Sequence, residues 1–485
     1  MVEAAPQATT VATLTVTEAE HFRFAPFSGD RNPMHTDAVF ARRTLPGAIA
    51  AYGMHLLLWA LDALAERGAI DTTLSRIRVR FVKWVYLNDS VCLVLPSAET
   101  AQPKRVELFV DEVLVATIAL SYGTPLQSSH EALQAEAPHP RRAISVEHAL
   151  ETLEGMQGTI EACDAHEATA LFPALARIFG PALAAEIASV SYVVGMIAPG
   201  LHSIDSRADW TLHTPSLNRE HTFSYRVNSV DERFRLARVQ VEGRQIRGTV
   251  EALVRRPPVQ QLSLAEARQR VQTDTFRHIC ALVIGGSRGV GEATAKLLLA
   301  GGAAVTLTYM QGAREAQALT EEATIAGLQL RTAQLDVRDR NQALPLAGDK
   351  PYTHLFYFAT GPMMLRRTIA DAQRLAEEMR SMYVDHFARI VSDLRSQQTS
   401  KQALKVFYPS VDWINTMPHD TPELVRAKLA GEALCDQWNA QNTDLIAVHE
   451  RLPRMCTDQT ASVLPQSDAA PADVMLPILR RLAAL

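Results

Sequence analysis

Cysteine is scarce in this sequence: five in 485 residues. Cys92, Cys163, Cys280, Cys435 and Cys456 lie far apart, are odd in number and form no CxxC pair. That spacing excludes a disulfide framework or a zinc ribbon and suggests a reducing compartment. No run of Lys and Arg occurs and the formal net charge is −5, so the chain carries no signature of nucleic-acid binding. A local basic surface for an acidic carrier protein stays compatible with that balance. Long apolar stretches are missing too. Residues 47–64 come nearest to the ~18 residues of a membrane span, and His55 and Asp62 interrupt them. The opening MVEAAPQATTVATLTV has neither a basic n-region nor a useful h-region. The expectation is therefore no signal peptide, no membrane segment and a cytoplasmic location.

What is present is ordinary globular material, 47% hydrophobic and 21% charged, enough for several cores. At roughly 100–200 residues per domain the length predicts two to four domains. Three blocks stand out. The first, residues 14–126, opens with the loop-like FAPFSGDRNPMHTD, continues in an apolar helix over 47–66, and ends in the alternating segments IRVRFVKWVYL, SVCLVLP, KRVELFV and LVATIALSYG. One helix and a run of strands predict an antiparallel sheet packed on that helix. Residues 127–142 are polar and Pro-containing and read as a linker. The second block, residues 144–256, repeats the order: a helical region over 167–195, then ADWTLH, EHTFSYRVNSV, FRLARVQVEG and GTVEALVRR. Helix-then-sheet twice predicts a duplicated architecture. The third block, residues 278–485, alternates strands and helices from ICALVIGG onward, the pattern of a doubly wound parallel sheet.

Chemistry concentrates first in Ser28-Gly29-Asp30-Arg31-Asn32-Pro33-Met34-His35. A carboxylate and an imidazole five residues apart, on a loop stiffened by Asn-Pro, can converge on one ligand atom. Moving a hydroxyl and a proton across a C–C bond needs such a pair. A helix-start N–H can stabilise the enolate oxygen that forms on the way. On the residues alone, the bland alternative is a turn capped by Asp30 with His35 as a buried, hydrogen-bonded side chain. Together with Gly47-Ala48-Ile49-Ala50-Ala51-Tyr52-Gly53-Met54, the run resembles the MaoC-like hydratase/dehydratase family of the hotdog fold, whose members act on acyl-CoA or acyl-carrier-protein thioesters. The resemblance covers about residues 14–123. It implies that Asp30 and His35 are the catalytic pair, that the Gly53 N–H is the thioester-carbonyl donor, and that no cofactor is required. Tyr52 stands where the family often has His, a departure that bears on pocket shape. His55, two residues after Gly53, is expected to be a packed or surface histidine.

The second block contains Val194-Gly195-Met196 but no Asp–His run. It reads as a degenerate second hotdog unit that completes the first unit's pocket. His202, with Asp205, is either a further site residue or, the favoured reading, a helix-end histidine beside a Pro-Gly turn.

In the third block, Gly285, Ser287, Arg288, Gly289 and Gly291 form a Gly-rich turn between a strand and a helix. Such a turn lets backbone N–H groups approach a pyrophosphate. It resembles the short-chain dehydrogenase/reductase family, in particular its 3-oxoacyl-thioester reductases, over about residues 279–485. By that resemblance Asp336 and Val337 contact adenine, Arg288 binds the extra phosphate of NADP(H), Ser410 is the catalytic serine and Lys428 the lysine. The tyrosine four residues before that lysine is Leu424, which has no proton to give. Further departures are Ile284, the segment Phe358-Ala359-Thr360-Gly361, and Asp385 at the helix asparagine. Tyr408, two residues before Ser410 on a strand, should share its face and could be a relocated donor.

The fold expected is multidomain α+β and α/β, a tandem hotdog followed by a Rossmann-like sheet. The function expected is a dehydratase/hydratase interconverting 3-hydroxyacyl and 2-enoyl thioesters, with an inactive reductase-like domain. Its rivals are a bifunctional NADPH-dependent reductase–dehydratase and a non-catalytic acyl or carrier-protein binding module. Acyl carrier protein or acyl-CoA is the expected partner, a homodimer the expected assembly, and no metal or nucleic acid is expected.

Overall fold

The computed structural model describes residues 9–96, 101–124, 137–214, 221–348, 351–361, 369–397, 402–415, 422–441, 443–460 and 468–485. The chain divides into two compact units, one ending at Pro257 and the other beginning at Pro258.

The first unit is built on a ten-stranded sheet. Its first half has β1 (Thr9–Thr15), β2 (Leu74–Phe81), β3 (Ser90–Leu95), β4 (Arg105–Val110) and β5 (Val113–Tyr122). The second half has β6 (Gln157–Glu161), β7 (Ser203–Leu212), β8 (Thr222–Asp231), β9 (Leu236–Glu242) and β10 (Ile246–Val254). The spatial order is β1-β3-β4-β5-β2-β7-β10-β9-β8-β6. Each half therefore runs first, third, fourth, fifth, second, and the two second strands meet. The β2–β7 pairing sets Arg76 opposite Thr211, Arg78 opposite Asp209 and Arg80 opposite Arg207. Along β2 the alternation puts Ile77 and Val79 inside and Arg76, Arg78 and Arg80 outward or partly so.

Each half wraps a helix. Gly53–Glu66 is apolar almost all round, with Leu57, Leu58, Leu61 and Leu64 fully buried, because the sheet and the second half's helices leave it little open face. Pro181–Tyr192 is buried from Leu183 to Tyr192 and continues as a π turn, Val193–Ile197. One continuous core takes residues from both halves, from Val11 to Val254.

Several elements differ from the sequence expectation. The first helix begins at Gly53, not at 47, because Ala50 is spent bridging to Tyr86. The helical region over 167–195 is three helices, Ala165–Leu171, Pro173–Phe179 and Pro181–Tyr192. Pro173 and the Gly180-Pro181 pair make the breaks: neither proline can donate to a preceding turn. The loop-like opening holds a helix, Glu18–Ser28, capped by Thr17 and ended by Gly29 at φ 74°. The strand expected over 77–87 stops at Phe81.

The second unit is a six-stranded parallel sheet of β11 (Cys280–Ile284), β12 (Ala304–Tyr309), β13 (Leu330–Gln334), β14 (His354–Tyr357), β15 (Leu404–Val411) and β16 (Leu445–Leu452). Its order is β13-β12-β11-β14-β15-β16, the Rossmann order, with the switch point between β11 and β14. All five residues of β11 are buried. Helices Gly289–Ala300, Ala313–Ile325, His386–Ser396 and Pro422–Gln441 fall between consecutive strands. Among the described residues no single helix is long and apolar enough to cross a membrane.

Candidate active site

The loop after the Glu18–Ser28 helix carries both residues of the Asp–His pair. Asn32 caps the short helix Pro33–Thr36 by accepting from the Met34 N–H, and His35 sits within that helix. The Asn32 amide also donates to the carbonyls of Gly195, Gly200 and Leu201, which ties the loop to the second half. Asp30 is buried, at 2% exposure. Its Oδ1 accepts from the Asn32 N–H at 3.0 Å and its Oδ2 from the Ser191 hydroxyl at 2.7 Å. Burial pushes the Asp30 pKa up to about 6, against the opposing pull of those two donors.

His35 Nδ1 lies 2.7 Å from the Ala50 carbonyl oxygen. A carbonyl only accepts, so the proton is on Nδ1 and Nε2 carries a free lone pair. Burial lowers the His35 pKa to about 4, so the ring is neutral at neutral pH. Tyr52 stacks on His35 with centroids 4.2 Å apart and donates to the Asp30 backbone oxygen at 2.8 Å. It supports the loop from behind.

Asp30, His35 and Gly53 line one pocket, walled by apolar side chains such as Leu56, Phe81 and Val115. Gly53 opens its helix, where the first N–H groups have no acceptor within the helix. A Cβ there would come within 2.8 Å of the Phe81 ring, so a larger residue would displace that wall of the pocket. Ser191, Val194, Gly195, Ser203 and Asp205 line the pocket from the second half. Gly195 lies so close to Asp30 that a Cβ would stand 2.5 Å from the carboxylate.

In the second unit the turn after β11 has Gly285 at φ 74° and Gly289 at φ 61°. A Cβ on Gly291 would meet the Gly285 carbonyl oxygen at 2.3 Å. Arg288 caps the Gly289–Ala300 helix and its Nη1 is 3.7 Å from Asp458. Ser287 is buried, with its Oγ close against Gly312. Asp336 lies two residues beyond β13, its carboxylate held by Arg338, while the Val337 carbonyl accepts from Arg389. Ser410 Oγ donates to Glu432 at 2.5 Å, and Arg451 holds that same carboxylate. Lys428 donates to the Pro409 carbonyl at 2.7 Å and rests 3.9 Å over the Tyr383 ring. Burial lowers its pKa to about 7.

Residues 3–113 match the MaoC-like domain family, and residues 279–348 match the short chain dehydrogenase family. The chain joins a MaoC-like domain to a short-chain dehydrogenase domain. Both families are named for enzymes. The dehydrogenase domain is 42% identical over 66 residues to the Uncharacterized oxidoreductase YgfF of Escherichia coli (strain K12), a stretch that is 14% of this chain and 27% of that protein. The chain thus spans about a quarter of the curated relative it matches. It is also similar to the solved short chain dehydrogenase of Shigella flexneri, at 17% identity and TM-score 0.38 over 44% of this chain and 88% of that one. FolM Alternative dihydrofolate reductase 1 from Brucella suis, solved with NADP, matches at 17% identity and TM-score 0.33 over 36% of this chain and 72% of that one.

In the MaoC-like domain the structure brings Asp30 and His35, paired by their spacing, together with Gly53, which the resemblance added. His55 is apart from them: it stacks on Phe24 at 4.9 Å, a packing role. Tyr52 lies behind the lining residues, packed on His35 and donating to the Asp30 backbone oxygen. His202 and Asp205 are separated. His202 turns to Glu147 at 2.8 Å, whereas Asp205 faces the pocket. Ser191 and Gly195 escaped the sequence reading; the one signal was the second Gly-Met pair, Gly195-Met196. In the dehydrogenase domain, Asp385 is exposed, and the residue beside Lys428 is Tyr383, whose hydroxyl pairs with Thr360 at 2.6 Å. A π turn over Ser381–Asp385 shifts the register and explains the difference. Leu424 packs into the core, and Tyr408 is fully buried with no hydrogen-bond partner for its hydroxyl among the described residues. The described residues hold no group of three or more His, Cys, Asp or Glu able to bind a metal ion.

Proposed function

We propose that the MaoC-like pocket interconverts 3-hydroxyacyl and 2-enoyl thioesters by reversible loss of water. The observation that carries this is the convergence of the Asp30 carboxylate and the His35 ring on a pocket that Gly53, at a helix start, also lines. In dehydration, His35 Nε2 takes the C2 proton while the Gly53 N–H holds the thioester oxygen as charge gathers there. Asp30, held by Asn32 and Ser191, accepts from the C3 hydroxyl and keeps that oxygen in place as its bond to carbon breaks. Apolar walls keep other water from the reacting carbons. The thioester is on coenzyme A or an acyl carrier protein. The sheet is read as two hotdog units in tandem, supported by the same strand order on both sides of the β2–β7 pair. By the sequence blocks these span residues 14–126 and 144–256, with the dehydrogenase domain over 278–485.

The dehydrogenase domain divides in its fit to NADP(H). The turn over 285–291 suits a pyrophosphate, with Gly285, Ser287, Gly289 and Gly291 as the cradle; Arg288, beside Asp458, is the residue that would meet an added phosphate. The hydride-transfer end does not suit it. Ser410 is committed to Glu432, Lys428 to Pro409 and Tyr383, and Leu424 supplies no proton. Our reading is a domain that is inactive as a reductase. The family match and the intact turn favour the second reading, a bifunctional reductase–dehydratase. The test is turnover of a short 3-hydroxyacyl thioester on both carriers, alongside NADPH oxidation with the 3-oxoacyl thioester. Dehydration without NADPH oxidation supports the first reading; robust NADPH oxidation, lost in Tyr408→Phe, establishes the second. No dehydration on either carrier removes both.

A further inference from the structure

We propose that Asp205, from the second half of the ten-stranded sheet, is a third acid–base residue of the MaoC-like pocket, the one that protonates the C3 oxygen as it leaves. This rests on the dehydratase reading above. Asp205 lines the same pocket as Asp30 and His35, though it belongs to β7, in the half without an Asp–His run.

Two features of the backbone aim it there. The β7–β10 register slips between Glu251, opposite Arg207, and Ala252, opposite Asp205. Ser206 is thus the extra residue of a bulge, and its hydroxyl is tied to the Glu251 carbonyl. A bulge turns the neighbouring side chain off the regular alternation. On the other side, β2 pairs with β7 only as far as Arg80 opposite Arg207. Past that point the chain leaves the sheet, and Lys83, Trp84 and Val85 become pocket wall. Asp205 therefore stands at the open end of the seam.

Its bonding also sets it apart from Asp30. Asp30 accepts from Asn32 and Ser191, an arrangement that suits the ionised form. The Oδ1 of Asp205 is sealed from solvent and has no hydrogen-bond partner among the described residues. A bare carboxylate oxygen is costly to bury, and a second negative charge beside Asp30 adds to the cost. Burial first, and the Asp30 charge second, raise the Asp205 pKa to about 7, above Asp30. The other charged or titratable groups lining the pocket are His35, neutral, and Lys83, exposed at its rim. A proton shared between the two carboxyls is thus favoured on Asp205, whose Oδ1 lacks the donors that hold Asp30.

The step balances. His35 Nε2 takes the C2 proton, and the C–H electron pair becomes the C2=C3 bond. The C3–O bond breaks with its pair on oxygen, and Asp205 protonates that oxygen to release water. His35 is left as imidazolium and Asp205 as carboxylate; the water returns the proton from one to the other. Hydration runs the same steps backwards.

The experiment uses the full chain with a short 3-hydroxyacyl-CoA and compares wild type, Asp205→Ala, Asp205→Asn, Asp205→Glu and Asp30→Asn across pH. Loss of a positioned acid should lower kcat on the order of 10²-fold in Asp205→Ala and Asp205→Asn, with partial recovery in Asp205→Glu. The alkaline limb of the kcat profile should move to lower pH in Asp205→Asn, since only Asp30 then titrates. A near-isosteric Asn keeps the pocket's shape, so this variant decides the matter if the alanine does not fold. Wild-type kcat and an unmoved alkaline limb in folded Asp205→Asn would overturn the inference and leave the Asp30–His35 reading standing. Absence of wild-type dehydration with the CoA thioester and also with the carrier-protein thioester would remove that reading, and this inference with it.

Discussion

Asp30 and His35 come from one loop but are held by different hands. His35 takes its orientation locally, from the Ala50 carbonyl, whereas Asp30 takes a hydroxyl from Ser191, 161 residues away. Asp30→Asn and His35→Ala should each cut dehydration by ~10²-fold or more. The double variant should be little worse than either single one, because the groups act as a unit. Turnover assays on variants with unchanged circular dichroism check this. The pH profile gives a second outcome. His35 must be neutral to take a proton, and its pKa is lowered to about 4, so the base is available down to that pH. The acid limb of kcat/KM should therefore lie near 4, well below the ordinary histidine value. A limb near 6.5 that persists in Asp30→Asn would show the ring to be solvated instead, since burial also pushes Asp30 up to about 6. In the dehydrogenase domain, Leu424→Tyr should not produce NADPH oxidation with a 3-oxoacyl thioester, because Ser410 and Lys428 stay engaged elsewhere. The spacing in the sequence singled out Asp30 and His35, the resemblance added Gly53, and the three do line one pocket. Ser191 was not legible, since a hydroxyl in an apolar helix carries no local sign of what it faces, and Asp205 was named only beside His202, from which the structure separates it.

At the scale of elements, the π turn Val193–Ile197 sets the pocket wall beside Asp30. It brings the Gly195 backbone against the Asp30 carboxylate, close enough to exclude a Cβ. Gly195→Ala should therefore displace Asp30, lower the melting temperature by an overpacking cost of about 1–3 kcal/mol, and reduce turnover. Thermal unfolding and a dehydration assay on the same preparation measure both, and no change in either would mean the loop can yield freely. Helix periodicity made the long apolar helices legible, but the breaks that Pro173 and Gly180-Pro181 make in the second region were passed over. The stretch Val82, Trp84, Val85, Tyr86 misled because a pocket wall needs the same apolar and β-branched residues as a strand. The edge strand β1, TTVATLT, escaped notice because most of it is exposed and no strong alternation marks it. The parallel sheet was legible throughout its first half, where buried strands alternate with a Gly-rich turn and clear helices.

For the molecule as a whole, the β2–β7 seam decides what can exist alone. Both halves feed one apolar core, and the pocket draws its walls from each. A fragment ending at residue 127 would expose β2 along its length and uncover the core faces that the second half's helices now hide. It would also lose the Ser191 hydroxyl and the carbonyls that hold Asn32. A second copy of the fragment is a poor substitute for β7. In the native pairing Arg78 faces Asp209, and Arg76 forms a two-bonded pair with that carboxylate. Two β2 strands paired antiparallel would set Arg76, Arg78 and Arg80 against one another, and like charges directly opposite oppose pairing. The fragment is therefore expected to aggregate or to self-associate without activity, whereas one ending near Pro258 keeps the whole ten-stranded sheet and should fold and dehydrate its substrate. Size-exclusion chromatography with light scattering, followed by the dehydration assay, distinguishes these outcomes. A monomeric, active fragment of residues 1–127 would show that the second half is dispensable to both the core and the site.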